Sequence, residues 1–261
     1  MTQQRERMNQ AELLQCVVAV AREAGEAAMT VYRTDFSVRG KADASPVTEA
    51  DERAEAVILR RLAELTPEIP VISEEQAALG SIPAFDALFW LVDPLDGTKE
   101  FIKRNGEFTI NIALVDSRRP KLGVVFAPAL GRLFAGAGGH GAQLEDAQGR
   151  RDIVCRSAPP EGITVVASRS HGDAGALDSF LAGRKIAAQT NAGSSLKFCL
   201  VAAGEADLYP RLGRTMEWDT AAGHAVLLAA GGNVTTLDGK ELCYGKPGLD
   251  NPHFVASGLA A

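Results

Sequence analysis

The segment Leu88-Phe89-Trp90-Leu91-Val92-Asp93-Pro94-Leu95-Asp96-Gly97-Thr98 decides how this chain is read. Its first five residues are apolar without a break, the pattern of a strand buried on both faces. The run stops at a turn in which Asp93 and Asp96 flank Pro94-Leu95. Pro94 stiffens that turn and Gly97 allows an unusual backbone angle, so both carboxylates and the Leu95 carbonyl can point to one side. Taken alone, Asp-Pro and Asp-Gly are common turn pairs, and the D-x-[DN]-x-[DN]-G register of a calcium loop is absent.

Upstream of this strand, Leu13, Leu14, Val17, Val18, Val20 and Ala21 recur at helical spacing, which predicts an amphipathic helix over Ala11 to Tyr32. A polar, turn-rich stretch from Phe36 to Ser45 follows. Thr48 and Asp51 form a capping-box-like start for a second helix running to about Leu65. Val71-Ile72 is a short strand leading into Ser73-Glu74-Glu75, a pair of acids that alone reads as a solvated helix start.

Downstream, Phe108 to Val115, Leu122 to Phe126 and Leu133 to Ala137 read as further strands. The C-terminal part offers strands at Ile163 to Ala167 and Ala206 to Tyr209, and helices at Leu177 to Ala182, Ser194 to Ala203 and Asp219 to Ala230. Asp219 is a plausible N-cap of the last, with Gly231-Gly232 as its stop. Strands and helices alternate without βαβ regularity, so the expected class is layered α+β. The expected organisation is a polar, disordered lead over residues 1–10, a first half over 11–155 and a second over 156–261, with a soft seam near Arg150 to Pro160.

The chain has 261 residues, enough for one large domain or two small ones. With 46% hydrophobic and 23% charged residues it has the composition of a globular protein and not of a disordered one. A formal charge of −6 argues against a nucleic-acid polymer as partner but not against a small anion, because a local basic pocket or bound metal reverses the field inside an acidic protein. The four cysteines, Cys16, Cys155, Cys199 and Cys243, form no C-x-x-C pair, so zinc spacing and a redox motif are both missing. Reduced thiols, a polar N-terminus and no apolar run near the roughly 20 residues of a membrane span make a cytoplasmic location the expectation, with peripheral attachment to the inner membrane face left open.

Glu74, Asp93, Asp96 and Asp219 sit at the ends of elements and not on solvated helix faces. Hard divalent cations take several oxygen ligands, and magnesium uses a few carboxylates together with water and substrate phosphate. His140, His171, His224 and His253 show no ligand spacing, and His224 lies in an apolar helix where it is expected to be packed.

Four motifs, read together, resemble the inositol monophosphatase superfamily: Leu91 to Thr98, Ser45 to Asp51, Ile72 to Glu75, and Glu217-Trp218-Asp219-Thr220-Ala221-Ala222-Gly223. The likeness runs from about Ala11 to Phe254. Thr98 to Thr109, Ser168 to His171 and Gly193 to Val201 are similar to its CysQ-type branch, the 3'(2'),5'-bisphosphate nucleotidases. The resemblance implies an α-β-α-β-α sandwich, lithium sensitivity, and magnesium-dependent removal of the 3'-phosphate from adenosine 3',5'-bisphosphate, a by-product of sulfate assimilation. By position it implies Glu74, Asp93, the Leu95 carbonyl, Asp96 and Asp219 as ligands of two to three Mg2+ ions. It implies Asp51 and Thr98 as the pair that activates water, and Gly97, Thr98, His171, Ser194, Lys197 and Arg211 as substrate contacts. Apart from the resemblance, Lys197 in its apolar helix reads equally as a lysine snorkelling to solvent, and Arg211 as a surface loop cation. An inositol monophosphatase or broad sugar phosphatase is the alternative activity, and a silent anion sensor on the same fold the alternative class. The sequence leaves oligomeric state undetermined.

Overall fold

The computed structural model describes residues 8–40, 46–169 and 174–259. The polar lead up to residue 7 and His171 lie outside them. Helix Gln10–Tyr32 begins with a capping box, in which the Asn9 side chain accepts from the Glu12 amide and the Glu12 carboxylate accepts from the Asn9 amide. It ends against Arg104, which donates to the carbonyls of Tyr32 and Thr34. Helix Glu49–Leu65 is capped by Thr48 and Asp51 in the same reciprocal way.

These two helices cover one face of a seven-stranded sheet. Its strand order follows the chain: Val71–Ser73, Leu88–Asp96, Thr109–Asp116, Arg119–Ala127, Arg132–Ala137, Gly141–Asp146 and Gly149–Ile153. The first pair is parallel and every later pair antiparallel. Strand Leu88–Asp96 lies between two packed layers, as its unbroken apolar run requires. Trp90 and Val92 point into the core shared with the two N-terminal helices. Phe89 and Leu91 point into the core on the opposite face. The Trp90 indole keeps a partner there, donating to Thr66 Oγ1 at 3.0 Å.

The opposite face is covered by helices Leu196–Ala202 and Ala221–Ala229. The approach of the second is close: a Cβ on Gly123 would stand 2.4 Å from the Ala222 carbonyl oxygen, so only glycine fits beneath that helix. Beyond it lies a five-stranded sheet in the order Ile186–Ala192, Ile163–Ser168, Leu208–Arg211, Phe254–Ser257, Asn233–Thr236. Helix Ala174–Leu181 closes the far side, with Leu181, Leu177 and Phe180 against Val165 and Leu208. The stack is therefore helix, sheet, helix, sheet, helix, the layered α+β sandwich expected from the sequence.

Two local expectations change. Asp219 is not the N-cap of the last long helix: that helix starts at Ala221 with Thr220 at its cap. The Asp219 carboxylate instead accepts from the Met216 amide at 2.8 Å, inside a tight turn. The helix read as Ser194 to Ala203 is Leu196–Ala202, because Ser194 adopts a left-handed backbone (φ 46°) that cannot continue a helix.

Candidate active site

The turn after strand Leu88–Asp96 opens into a cleft of about 300 Å³. Glu74, Asp93, Leu95, Asp96, Gly97 and Thr98 line one side. Ser194, Lys197, Arg211 and Asp219 line the other. Residues far apart in the chain converge there: Asp93 and Asp96 at the end of strand Leu88–Asp96, Glu74 just after Val71–Ser73, Arg211 at the end of Leu208–Arg211, Lys197 on helix Leu196–Ala202, and Asp219 in the turn before Ala221–Ala229. Asp93 bends its own turn, one carboxylate oxygen accepting from the Leu95 amide at 3.0 Å. Gly97 makes the sharp reversal, with φ 91°, a conformation that excludes a β-carbon at little cost only for glycine.

Carboxylate oxygens of Glu74, Asp93 and Asp219 lie within 4.8 Å of one another. Asp96 stands beside them, held by Asn111 Nδ2 (3.4 Å) and the Ser195 hydroxyl (3.2 Å). Crowding and burial shift these carboxyls. Burial first, and then the charge of Glu74, push the Asp96 carboxyl up to about 6 against the pull of Lys197. The same causes, with Asp96 and Glu74 as the repelling charges, raise Asp219 well above the ordinary carboxylate range. Acids this crowded, Asp93 buried and the others half-buried, form a donor set that fits a hard divalent ion: all oxygen and close together.

Asp51 and Thr98 meet at the rim. Asp51 Oδ2 accepts from both the amide and the hydroxyl of Thr48, each at 2.8 Å, and Oδ1 is 3.4 Å from the Thr98 hydroxyl. The capping box of a helix thus fixes the carboxylate that faces Thr98.

The opposite end of the cleft is cationic. Lys197 is 4% exposed, so it does not snorkel. Its ammonium donates to the carbonyls of Ala192 and Ser194 and lies 5.3 Å from the Tyr209 ring centroid. Burial pulls it down to about 8, offset by Asp96 and reinforced by Arg211. Arg211 is on strand Leu208–Arg211 and is buried, not a surface loop cation, with its guanidinium donating to the Arg214 carbonyl at 2.9 Å. The buried Ser194 hydroxyl has no hydrogen-bond partner among the described residues.

Of the residues singled out in the sequence, Glu74, Asp93, Leu95, Asp96, Gly97, Thr98, Ser194, Lys197, Arg211 and Asp219 line one cleft. Asp51 reaches it through Thr98. His224 is fully buried and packs against Tyr244, as expected, with Nδ1 2.9 Å from the tyrosine hydroxyl. Sequence reading missed Asn111 and Ser195, which brace Asp96, and Glu107, which ties the two sides of the cleft together. Their signal was weak: each is a polar residue within an otherwise apolar or turn segment.

The chain belongs to the inositol monophosphatase family, whose pattern it matches over residues 9–260. It is 50% identical to the 3'(2'),5'-bisphosphate nucleotidase CysQ of Escherichia coli K12 over 248 residues, 94% of this chain and 99% of the relative. Among solved structures, CysQ of Bacteroides thetaiotaomicron superposes with a TM-score of 0.80 at 37% identity, over 94% of this chain and 97% of that one. The IMPase of Thermotoga maritima follows with a TM-score of 0.76 at 28% identity, covering 94% and 91%.

Proposed function

We infer that this chain is a phosphoric monoester hydrolase of the 3'(2'),5'-bisphosphate nucleotidase type, which removes the 3'-phosphate of adenosine 3',5'-bisphosphate to give AMP and phosphate. The observation that carries the reading is a single cleft with crowded carboxylates at one end and the buried cations Lys197 and Arg211 at the other. A substrate with one phosphate needs only the first end. One with two phosphates uses both.

Glu74, Asp93, Asp96, Asp219 and the Leu95 carbonyl would hold magnesium, two to three ions by family resemblance. Bound there, the ions supply positive charge that neutralises the scissile phosphate and makes a nearby water more acidic. The remaining work belongs to the protein. Thr98 orients that water through its hydroxyl. A threonine is a poor base alone, but Asp51 stands behind it to receive the proton, and Thr48 holds Asp51 in place. The Gly97 and Thr98 backbone, at the mouth of the turn, faces the scissile group. Lys197, Arg211 and the unpaired Ser194 hydroxyl supply donors for the second phosphate. Most of the rate then comes from positioning and fixed charge, not from covalent chemistry.

No helix among the described residues is long and apolar enough to cross a membrane.

The test is magnesium-dependent phosphate release from adenosine 3',5'-bisphosphate and inositol 1-phosphate side by side. A kcat/KM preference for the nucleotide is the expected result. Preference for inositol phosphate would keep the metal site and overturn the substrate.

A further inference from the structure

Glu107 stands between the turns at Gly97 and Gly193, its carbonyl oxygen close to both, in a segment the reaction chemistry does not use. Its own strand entry is fixed from below by Phe108, which is fully buried, and from behind by Asn105, whose side chain accepts from the Glu107 amide at 2.9 Å. The Glu107 carboxylate reaches across to the second sheet. It accepts from Arg169 Nε at 2.9 Å, from Arg169 Nη2 at 2.8 Å and from the Gly193 amide at 2.8 Å. Arg169 also donates to the Asn191 carbonyl at 3.0 Å, so the clamp holds the end of strand Ile186–Ala192 as well as the turn after it.

That turn is the seat of Lys197. The carbonyls of Ala192 and Ser194, on either side of Gly193, are the acceptors of the Lys197 ammonium. The backbones are in close contact: a Cβ on Gly193 would lie 2.7 Å from the Glu107 carbonyl oxygen. A Cβ on Gly97, in the turn facing the scissile phosphate, would lie 3.3 Å from that same oxygen. One residue therefore spaces the turn that faces the reacting phosphate from the turn that places the lysine.

We propose that Glu107, through the Gly193 amide and Arg169, is a positioning residue that sets the separation between the Gly97–Thr98 turn and the Lys197 pocket, and so determines how strongly a substrate with two phosphates is preferred over one with a single phosphate. The inference rests on the bisphosphate reading above. The ion pair is only partly shielded, with side chains 21% exposed for Glu107 and 46% for Arg169. A pair that wet adds little to global stability, so its removal is expected to act on the cleft more than on the fold.

The experiment compares wild type, Glu107→Ala, Glu107→Gln and Arg169→Ala on adenosine 3',5'-bisphosphate and on p-nitrophenyl phosphate, with melting temperatures recorded for each. In Glu107→Ala, KM for the bisphosphate rises about tenfold with kcat little changed, and the ratio of the two kcat/KM values falls by the same factor. Glu107→Gln keeps an oxygen for the Gly193 amide and loses less. Arg169→Ala, with the Gly193 bond intact, also loses less than Glu107→Ala. A ratio unchanged in folded Glu107→Ala, or an equal fall on both substrates, overturns the inference. If Glu107→Ala does not fold, the same ratio in Glu107→Gln decides. Wild type without a bisphosphate preference would sink the functional reading itself, an outcome visible before any variant is made.

Discussion

Glu217 and Asp219 stand two residues apart, and the fold treats their carboxylates in opposite ways. Glu217 is wholly buried and fully supplied: it accepts from the amides of Gly245 (2.7 Å) and Lys246 (2.9 Å) and pairs with the Lys246 ammonium at 2.6 Å. Lys246 in turn donates to the Cys243 carbonyl and to Asn251 Oδ1. The Asp219 carboxylate accepts from the Met216 amide and faces Asp96 and Glu74. A carboxylate given its full complement of donors serves the fold. One left in deficit among like charges is poised for a cation that comes from solution.

The comparison breaks most visibly on substitution. Asp219→Asn is expected to lower magnesium-dependent phosphate release by about a thousandfold or more, the scale of losing a main electrostatic stabiliser. The metal-free protein should melt no lower than wild type, since a repelling charge has gone. A lower melting temperature in that variant would remove the contrast. Glu217→Ala should do the reverse. It leaves Lys246 and two amides without their acceptor and costs about 3 kcal/mol in urea unfolding, while turnover per folded molecule stays within an order of magnitude. Loss of turnover without loss of stability would make Glu217 part of the site.

Proton competition sharpens the same contrast. Burial and the charge of Glu74 push the Asp96 carboxyl up to about 6, above its ordinary 3.8. The folded state therefore holds a proton that the unfolded chain has released between those values, and the metal-free fold loses stability as pH rises through that window. A ligand carboxylate must be ionised to bind metal. Magnesium affinity by titration calorimetry should then weaken as pH falls through about 6, and an affinity flat from pH 7 to 5 would contradict the crowding. His224, away from the cleft, is pulled the other way, down to about 3, by burial. It stays neutral in the fold where the unfolded chain protonates it, so it subtracts stability as pH falls below about 6.5. His224→Asn should flatten the acid limb of a stability-versus-pH curve. An unchanged limb would place that slope elsewhere.

The first sheet was far more legible in the sequence than the second. Leu88 to Val92, Phe108 to Val115 and Leu122 to Phe126 are long apolar runs because helices cover both faces of their sheet. Strand Ile186–Ala192 escaped notice because it is an edge strand, mostly exposed, reading Ile-Ala-Ala-Gln-Thr-Asn-Ala with no alternation to betray it. The hairpin Gly141–Ile153 was missed for a related reason, as its last strand is exposed until Ile153. Among site residues the acids announced themselves by standing at element ends and by their motifs. What sequence could not supply was context. Whether Lys197 snorkelled or was buried depended on Tyr209 and on the carbonyls of Ala192 and Ser194, which only the closed fold brings near it. Glu107 and Ser195 look like ordinary polar turn residues until their partners, more than eighty positions away for Gly193 and Asn111, are in place.

Strand order gives the site a history as well as a shape. From Leu88 to Ile153 each strand of the first sheet pairs with the next in sequence, so it can zip up through short loop closures as the chain leaves the ribosome. The second sheet cannot: Leu208–Arg211 pairs on one side with Ile163–Ser168, but on the other with Phe254–Ser257, far along the chain, where Arg211 finds its partner Phe254. Non-local pairings of that kind form slowly. Most of the acidic end of the cleft therefore rests on local strand pairings, and the end that carries Arg211 on a distant one. A chain cut before Phe254 would keep most of the carboxylates yet lose the strand that pairs with Arg211, so the two ends of the cleft depend on different stretches of sequence.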